Sequence, residues 1–247
     1  MTIIKLDAID STNSYLKKMA SEHALKNFTT VTTSHQLNGR GQVGTKWFSE
    51  KDKNLTFSML VKLKNFKLKH QFYLSIAVSI AVFNVLKKYK VTSCIKWPND
   101  ILAGKDKVAG ILIENVIAGE LIKQSVIGIG LNVNQTTFSK QLKNVTSLKN
   151  FLNLAEEIDL DMLLQQIISE IKKQVKYIEN EEFEMLKQTY LAHLFKRNKP
   201  SMFINENENY FLGKIIDVNE EGKLLVELEN EKIRKFDLKE IKFADRI

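Results

Sequence analysis

The chain has 247 residues, of which 44% are hydrophobic and 27% charged. This balance is typical of globular proteins and excludes collagenous and strongly disordered classes, while the length favours a large domain followed by a small one. No apolar run is long enough to cross a bilayer, and the first residues lack the apolar core of a signal peptide. With Cys94 as the only cysteine, the sequence predicts a cytoplasmic protein without disulfides or membrane association.

The formal net charge is +8, and residues 53–99 contain nine lysines and no acidic residue. A stretch of one sign favours an anionic partner, such as a nucleotide, a nucleic acid or an acidic protein. The alternative is a solvated face without a partner, because the chain is rich in lysine throughout. Arg40 stands out as the only arginine in the first 196 residues. Its planar guanidinium can bind a flat polar group or a phosphate as an ammonium cannot.

Strands and helices alternate through the first part of the chain. An extended segment at 3–9 is followed by Ser11 and Thr12, which can cap an amphipathic helix that runs to about Leu25. A strand at 31–34, a loop at 37–47 and an alternating strand at 55–63 come next, and then an apolar helix at 72–88. Four more strands are predicted, at 91–97, 108–114, 120–123 and 126–133. Eight of the ten glycines lie in the range 39–130, so we expect the functional site there.

The pattern becomes helical over 147–195, and short alternating strands follow Pro200. We therefore predict an α+β protein in which a mixed β-sheet is flanked by helices. Residues 1–196 form the main domain, and residues 197–247 form a small β-barrel. Its aromatic residues are expected in the core: Phe203, Tyr210, Phe211, Phe236 and Phe243.

The segment from Gly39 to Gly44 reads Gly-Arg-Gly-Gln-Val-Gly and matches the dinucleotide-binding spacing G-x-G-x-x-G. That fingerprint must open a helix and be followed about 20 residues later by an acidic residue. Here it leads into a strand and an acid-free stretch instead. We expect a glycine-rich loop whose backbone amides approach a ligand closely, with a flexible turn as the alternative.

Three further motifs carry candidate ligand-binding groups. Lys96-Trp97-Pro98-Asn99-Asp100 ends a strand, and it offers Lys96 to a phosphate and Asp100 to Mg²⁺, although such a turn can also simply cap its own backbone. Lys107 precedes a strand in which Ala109 and Gly110 leave space against the sheet. Gly128-Ile129-Gly130 places two bare positions on one face of a strand, which is more often a packing feature than a site.

The histidines show no metal-binding spacing, and no serine lies in the context of a catalytic triad. If the chain is an enzyme, we therefore expect it to supply no covalent nucleophile.

Taken together, these motifs closely resemble biotin protein ligases. The resemblance covers residues 9–134 in order and spacing, and the C-terminal segment also fits. It implies a class II synthetase-like catalytic domain followed by an SH3-like β-barrel. It further implies a two-step reaction in which biotin and ATP form biotinyl-AMP and the biotinyl group passes to a lysine of a biotin carboxyl carrier domain.

The resemblance also implies roles for individual residues. Catalysis is assigned to Lys107, Arg40 and Asp100, with Asp100 also the candidate Mg²⁺ ligand. Biotin binding is assigned to Ser11, Thr12, Asn13, Gln36, Gly39, Arg40, Gly41, Gln42, Lys107 and Gly110. ATP binding is assigned to Arg40, Trp47, Lys96, Asn99 and Asn132.

The chain departs from the family pattern in two places. Members often carry further basic residues where this chain has Gln42, Val43 and Thr45, and an arginine soon after the pair that corresponds to Glu240-Ile241. With only ten residues before Ser11, we expect the short type of ligase without a DNA-binding module. Dimerisation is common in the family, and nothing in the sequence decides it.

Two other functions fit parts of the sequence. The first is a lipoate or octanoate ligase of the same fold, from which the Gly39-Arg40-Gly41 and Lys96-to-Asp100 motifs distinguish the chain. The second is a non-catalytic nucleic-acid-binding protein, for which the positive charge is the only support.

Overall fold

The structure, a computed structural model, describes residues 2–244 apart from the side chain of Val43. Within these residues the chain forms fourteen β-strands and five α-helices. The strands are β1 (Ile3–Ile9), β2 (Thr30–Gln36), β3 (Gly39–Arg40), β4 (Lys46–Trp47), β5 (Asn54–Val61), β6 (Ser93–Lys96), β7 (Asp100–Ala103), β8 (Asp106–Ala118), β9 (Leu121–Asn132), β10 (Pro200–Asn205), β11 (Tyr210–Val218), β12 (Leu224–Leu228), β13 (Ile233–Phe236) and β14 (Ile241–Phe243). The helices are α1 (Thr12–Glu22), α2 (Gln71–Lys88), α3 (Leu148–Leu152), α4 (Leu160–Glu179) and α5 (Phe183–Ala192).

The main sheet has seven strands in the order β1-β2-β5-β9-β8-β7-β6. Only the β1–β2 pair is parallel, and each remaining pair is antiparallel. The predicted mixed sheet flanked by helices is therefore confirmed. Because side chains alternate along each strand, the two faces of this sheet can differ sharply in composition.

One face of the sheet carries the hydrophobic core. Leu55, Phe57 and Met59 of β5 and Ile127 and Ile129 of β9 are at most 3% exposed. They share one cluster with the apolar residues of α2, α4 and α5. Since α2 has apolar residues around most of its circumference, it can be buried between this sheet and α4, as its sequence predicts.

The opposite face is covered by a helix at one end only. Leu16 of α1 packs there on Val31, Leu60 and Val126 in a small second cluster. Ser11 caps the helix, because its side chain accepts a hydrogen bond from the Ser14 N–H. The remainder of the face is free of helices in the described part of the chain, and α1 begins at its border.

The C-terminal strands form a separate antiparallel sheet in the order β13-β12-β11-β10-β14. The described strand pairings do not join β13 to β14, so closure into a barrel stays a prediction, as does the division at residue 196. Phe203 and Phe236 are buried, as expected. The expectation for Tyr210 was wrong, since its side chain is 57% exposed at the start of β11.

Two strand predictions in the main sheet were also wrong. A single strand, β9, runs from Leu121 to Asn132 where two were expected, because the polar residues Gln124 and Ser125 interrupt the apolar pattern but not the pairing with β8. The short strand β7 begins at Asp100, directly after the proline turn, and the sequence did not indicate it. Asp100 therefore starts a strand instead of following one.

None of the helices in residues 2–244 is both long and apolar enough to span a membrane.

One contact between the C-terminal sheet and the main domain lies at the turn of Gly222. The Trp97 Nε1–H donates to the Gly222 carbonyl at 2.8 Å. Gly222 has a φ of +91°, and a Cβ there would lie 2.5 Å from Phe72 Cδ2 on α2.

We predict that Gly222→Ala lowers the free energy of unfolding by about 2–3 kcal/mol, because it combines backbone strain with a collision against a packed ring. Gly119→Ala is the matched control, since Gly119 has a φ of +59° but an added Cβ there would meet no atom within 4 Å. We expect that variant to lose about 1 kcal/mol. Denaturant unfolding of both variants measures the difference, and equal losses would contradict a tight contact at Phe72.

Candidate functional site

A cavity of about 240 Å³ lies on the part of the sheet face that α1 leaves open. Strands β5, β7, β8 and β9, the start of α1 and the loop after β2 all contribute to its wall. Many of the residues predicted from sequence meet there: Ser11, Thr12, Asn13, Gln36, Arg40, Gly41, Gln42, Trp47, Asn99, Asp100, Lys107 and Gly110.

The floor of the cavity is a row of residues that runs across four strands. Thr56 of β5 pairs with Gly130, Gly130 with Gly110 of β8, and Gly110 with Asp100 of β7. Paired residues in neighbouring strands place their side chains on the same face. The two glycines therefore leave the middle of the row without side chains.

Trp47 lies against these two glycines. A Cβ at Gly130 would collide with the indole ring, and one at Gly110 would lie 3.2 Å from Trp47 Cζ3. Among the described residues, neither Trp47 Nε1 nor Thr56 Oγ1 has a hydrogen-bond partner, although both atoms are buried. Unpaired buried polar atoms are costly, so both are candidates for contact with a ligand.

A β-bulge directs Lys107 toward the cavity. Ile101 pairs with Ala109, whereas Leu102 pairs with Lys107, so Val108 is an extra residue in β8. The extra residue places Lys107 on the same face as Gly110, where simple alternation would put it on the opposite face. The backbone of Lys107 is fixed by a contact outside the sheet, since its N–H donates to the Asn144 carbonyl at 2.7 Å.

Lys107 and Asp100 form an ion pair at this end of the cavity. Their Nζ and Oδ1 atoms are 2.6 Å apart, and the side chains are 35% and 20% exposed. The Lys107 ammonium also lies 5.6 Å from the centroid of the Trp47 ring. Asn99 is fixed beside them, since its Nδ2 donates to the Ile111 carbonyl and its own carbonyl accepts from the Ile111 N–H. The arrangement supplies a fixed cation for an anionic ligand.

The opposite end of the cavity is a hydrogen-bonding cluster. Gln36 Oε1 accepts from the backbone N–H of Thr12 at 2.9 Å and lies 3.2 Å from the Thr12 hydroxyl oxygen. This orientation turns Gln36 Nε2 toward Gly39, where a Cβ would lie only 2.6 Å from it. Ser58 Oγ lies 2.7 Å from Thr12 Oγ1. Ser11, Gln36 and Ser58 thus bring donors and acceptors together in a buried space.

Asn13 joins this cluster to a charged group at the rim. Its Oδ1 accepts from the Ser58 hydroxyl at 2.5 Å, and its Nδ2 donates to Glu114 Oε2 at 2.9 Å. A Cβ at Gly128 would overlap the Asn13 amide, so the glycine makes room for it. The amide of Asn13 is therefore engaged on both sides within the protein.

Glu114 binds two cations as well as Asn13. Its carboxylate lies 2.7 Å from Arg40 Nη2 and 2.9 Å from Lys17 Nζ. Partial burial alone would raise the pKa of Glu114. Hydrogen bonds from Lys17 and Asn13, together with the charges of Arg40 and Lys17, outweigh burial and lower the pKa below its ordinary value.

The glycine-rich segment folds as a small hairpin. Gly39 and Arg40 of β3 pair with Trp47 and Lys46 of β4, and a single 3₁₀ turn at Gln42–Gly44 connects them. No α-helix begins there in the described chain, in agreement with the rejection of a dinucleotide-binding fingerprint. The hairpin carries Arg40 and Trp47 together to the cavity.

Three predicted site residues lie away from the main cavity. Gly39, a residue of the hairpin, lines a depression on the side away from the main cavity, and Lys96 lies in a neighbouring cavity of about 470 Å³ between the main sheet and the C-terminal sheet. Asn132 is 2% exposed, and its Nδ2 donates to the Thr146 carbonyl at 3.0 Å. Asp100 lines both cavities and so connects Lys96 to the main site.

Among the polar residues that the argument about the site uses, Thr56, Ser58 and Glu114 were not predicted from the sequence. The first two alternate with Leu55, Phe57 and Met59, so hydroxyls on one face of an otherwise apolar strand were an available signal. Glu114 interacts with Arg40 across 74 residues of sequence, and nothing local indicated that pairing.

Comparison with known proteins gives a sequence match and a structural match. A model of the biotin/lipoate A/B protein ligase family matches residues 6–132, which contain all residues of the main cavity. The chain is 30% identical over 235 residues to the bifunctional ligase/repressor BirA of Escherichia coli (strain K12), a match that covers 92% of this chain and 69% of that protein. It is 32% identical over 129 residues to the biotin--[acetyl-CoA-carboxylase] ligase of Mycobacterium tuberculosis, covering 51% and 47% of the two chains.

The structure is similar to that of the biotin protein ligase from Aquifex aeolicus in complex with biotin and ATP. The TM-score is 0.81 at 25% sequence identity, and the match covers 98% of this chain and 99% of that chain. The similarity therefore includes the C-terminal sheet as well as the main domain.

We predict that Gly130→Ala displaces the Trp47 ring from the sheet, because the added methyl group occupies the space of the indole. The fluorescence emission of Trp47 should shift to longer wavelength, while that of Trp97, the other tryptophan, should not change. Trp47→Phe in both backgrounds assigns the signal. An unchanged spectrum in Gly130→Ala would contradict the close packing of Trp47 on the sheet.

Proposed function

The chain belongs to the biotin/lipoate A/B protein ligase family, and we propose that it activates biotin with ATP and transfers the biotinyl group to a lysine of a carrier protein. One observation carries this proposal: a single cavity joins a buried hydrogen-bonding cluster to a fixed cation across a floor of two glycines. Biotin has the matching parts, namely a polar ureido ring, an apolar tail and a terminal carboxylate.

The hydrogen-bonding cluster suits the ureido ring, which offers one carbonyl acceptor and two N–H donors. The Ser11 oxygen accepts the helix-capping bond, so its hydroxyl hydrogen is available to the ureido carbonyl. Gln36 Nε2 is available as a further donor, because Gln36 Oε1 accepts from Thr12. Asn13 supports this cluster through Ser58 and does not need to contact biotin itself.

The glycine floor suits the apolar tail. With no side chains at Gly110 and Gly130, the tail can lie against the backbone of β8 and β9 and reach the Lys107 end of the cavity. The Trp47 ring lies on these glycines in the unliganded protein, so its side chain would have to rotate off them. It would then cover the tail and border the nucleotide.

In the first step, a biotin carboxylate oxygen attacks the α-phosphorus of ATP, and the bond to pyrophosphate breaks. Lys107 and Arg40 place positive charge where the carboxylate and the phosphate oxygens meet, which stabilises the transition state. In the second step, the neutral ε-amine of the carrier lysine attacks the acyl carbon of biotinyl-AMP. AMP leaves with the electron pair of the acyl–oxygen bond, and the amine loses its proton to form an amide.

Mg²⁺ would enter with ATP, as part of that substrate. Within the described residues no group of three or more acidic, cysteine or histidine side chains could hold a metal. A single carboxylate suits Mg²⁺ that keeps several waters and binds mainly to phosphates. Asp100 is that carboxylate, since it lines both cavities beside Lys107. Lys96 would meet the phosphates from the second cavity, and Asn99 from the main cavity. Asn132 lines neither cavity, so the geometry gives its proposed contact with ATP no support.

The partner we propose is the carrier domain of a biotin-dependent carboxylase, with the lysine-rich stretch at 53–99 attracting an acidic carrier surface. We also propose that the enzyme acts in the cytoplasm, where ATP is available and a single free cysteine is unremarkable. The division into a catalytic domain and a small C-terminal domain belongs to the same proposal.

We predict that the protein catalyses biotin-dependent exchange of labelled pyrophosphate into ATP. Lipoic acid at equal concentration is the control, because a lipoate ligase of the same fold would use it instead. The polar cluster around Gln36 matches the ureido ring, and lipoate has no such ring. Exchange with lipoate and none with biotin would contradict the proposed substrate.

We predict that Lys107→Ala lowers the exchange rate by about 100-fold or more, since loss of one charge-stabilising contact costs about 3 kcal/mol. Lys105→Ala is the matched control and should leave the rate unchanged, because Lys105 is exposed in the turn just before the strand that carries Lys107. Circular dichroism establishes that both variants are folded. A folded Lys107→Ala variant with a normal rate would contradict the assigned role.

A further inference from the structure

Glu114 has no part in the reaction as proposed, yet it has more polar partners than its neighbours on the sheet. It lies outside the main cavity, in the depression behind the Arg40 hairpin. Its side chain is 20% exposed and binds Arg40, Lys17 and Asn13 simultaneously. A carboxylate beside a site for an anionic substrate repels that substrate. Its presence there therefore indicates another role for the charge.

The contacts of Glu114 lead in two directions. One leads to the glycine-rich hairpin, through Arg40. The other leads through Asn13 and Ser58 to Thr12 and Gln36, the cluster that we assign to the ureido ring. A continuous chain of hydrogen bonds therefore connects the hairpin to the far end of the cavity, and Glu114 is the link between them.

The ion pair with Glu114 leaves Arg40 able to bind an anion. A guanidinium has five N–H donors in a planar fork, and the contact to Glu114 involves Nη2. The other edge of the fork can bind a carboxylate or phosphate at the same time. Lys17 shares the charge of Glu114 from the opposite side, which reduces the repulsion felt by an anionic ligand.

We infer that Glu114 is a positioning residue: its carboxylate holds the Arg40 hairpin over the cavity and couples the hairpin to the cluster that binds the biotin ring. The protein is thereby preorganised, since the hairpin need not be ordered when biotin enters. The coupling to biotin rests on the proposed function. The tethering of the hairpin by Glu114 does not rest on the proposed function, because it is a property of the protein without substrate.

Limited trypsin digestion of the unliganded protein tests the tether. Glu114→Gln keeps the size of the side chain and an oxygen for Asn13, but it removes the charge that binds Arg40. We expect cleavage after Arg40, followed by mass spectrometry, to become about fivefold faster or more as local opening becomes easier. Lys17→Met is the matched control, because it removes the other cation and leaves the Arg40 pair intact. Its cleavage rate should change less than about twofold.

Calorimetric titration with biotin tests the coupling by a double-mutant cycle. We expect Glu114→Gln to weaken biotin binding about tenfold in the wild-type background, and less than about twofold when Arg40→Ala is already present. Loss of structure alone would weaken binding equally in both backgrounds, so this comparison separates positioning from folding.

Equal cleavage rates for wild type and Glu114→Gln would overturn the tether, whether or not biotin binds. Unchanged or tighter binding of biotin by Glu114→Gln, or an equal loss in both backgrounds, would overturn the coupling. Failure of the proposed function itself would appear separately, as absence of biotin-dependent pyrophosphate exchange in the wild type.

Discussion

The site depends on backbone that carries no side chains at three positions of two neighbouring strands. Gly110, Gly128 and Gly130 each lie where a Cβ would meet another group of the site. Glycine weakens a strand, but at these positions it lets side chains from distant segments lie directly against the sheet. Trp47 and Asn13 do so, one at each side of the cavity floor.

This constraint explains how one sheet can serve both stability and binding. The residues that alternate with these glycines, such as Ile111, Ile129 and Leu131, are buried under the helices. The core face therefore fixes the strands that hold the binding face. Where simple alternation would turn Lys107 to the wrong side, the bulge at Val108 corrects its direction. The cavity and its bare glycines are thus carried by strands whose other face is packed under helices.

Much of this arrangement followed from the sequence, because its signals are local. The Gly-x-Gly pair, the lone arginine and the charged turn from Lys96 to Asp100 are short motifs with direct physical meanings, and most of their residues meet in one cavity. The helix α2 was equally clear from its long apolar run, and the strand β5 from its alternation. Local patterns were sufficient wherever one segment alone determines the chemistry.

The remaining features depend on contacts between distant segments. Ser58 meets Asn13 across 45 residues, and Asn13 meets Glu114 across 101. Their pairing is set by strand register, which composition does not reveal. The strand β7 was missed because it has only four residues and begins directly after a turn. Tyr210 was misplaced for the opposite reason. An aromatic residue in an alternating strand indicates a core position, yet Tyr210 is the first residue of β11, beside a turn, where its side chain is exposed.

The contact with Glu114 also explains why residue 40 is an arginine in a part of the chain whose other long cationic side chains are lysines. An ammonium at this position would be a single compact charge, and the partly buried carboxylate of Glu114 would hold it away from a ligand. A guanidinium can bind that carboxylate at one edge and present its other edge to the cavity. Arg40 is thus an arginine because one cation must bind both the Glu114 carboxylate and a substrate. The single departure from lysine in the first 196 residues occurs where a planar, multiply donating cation is required.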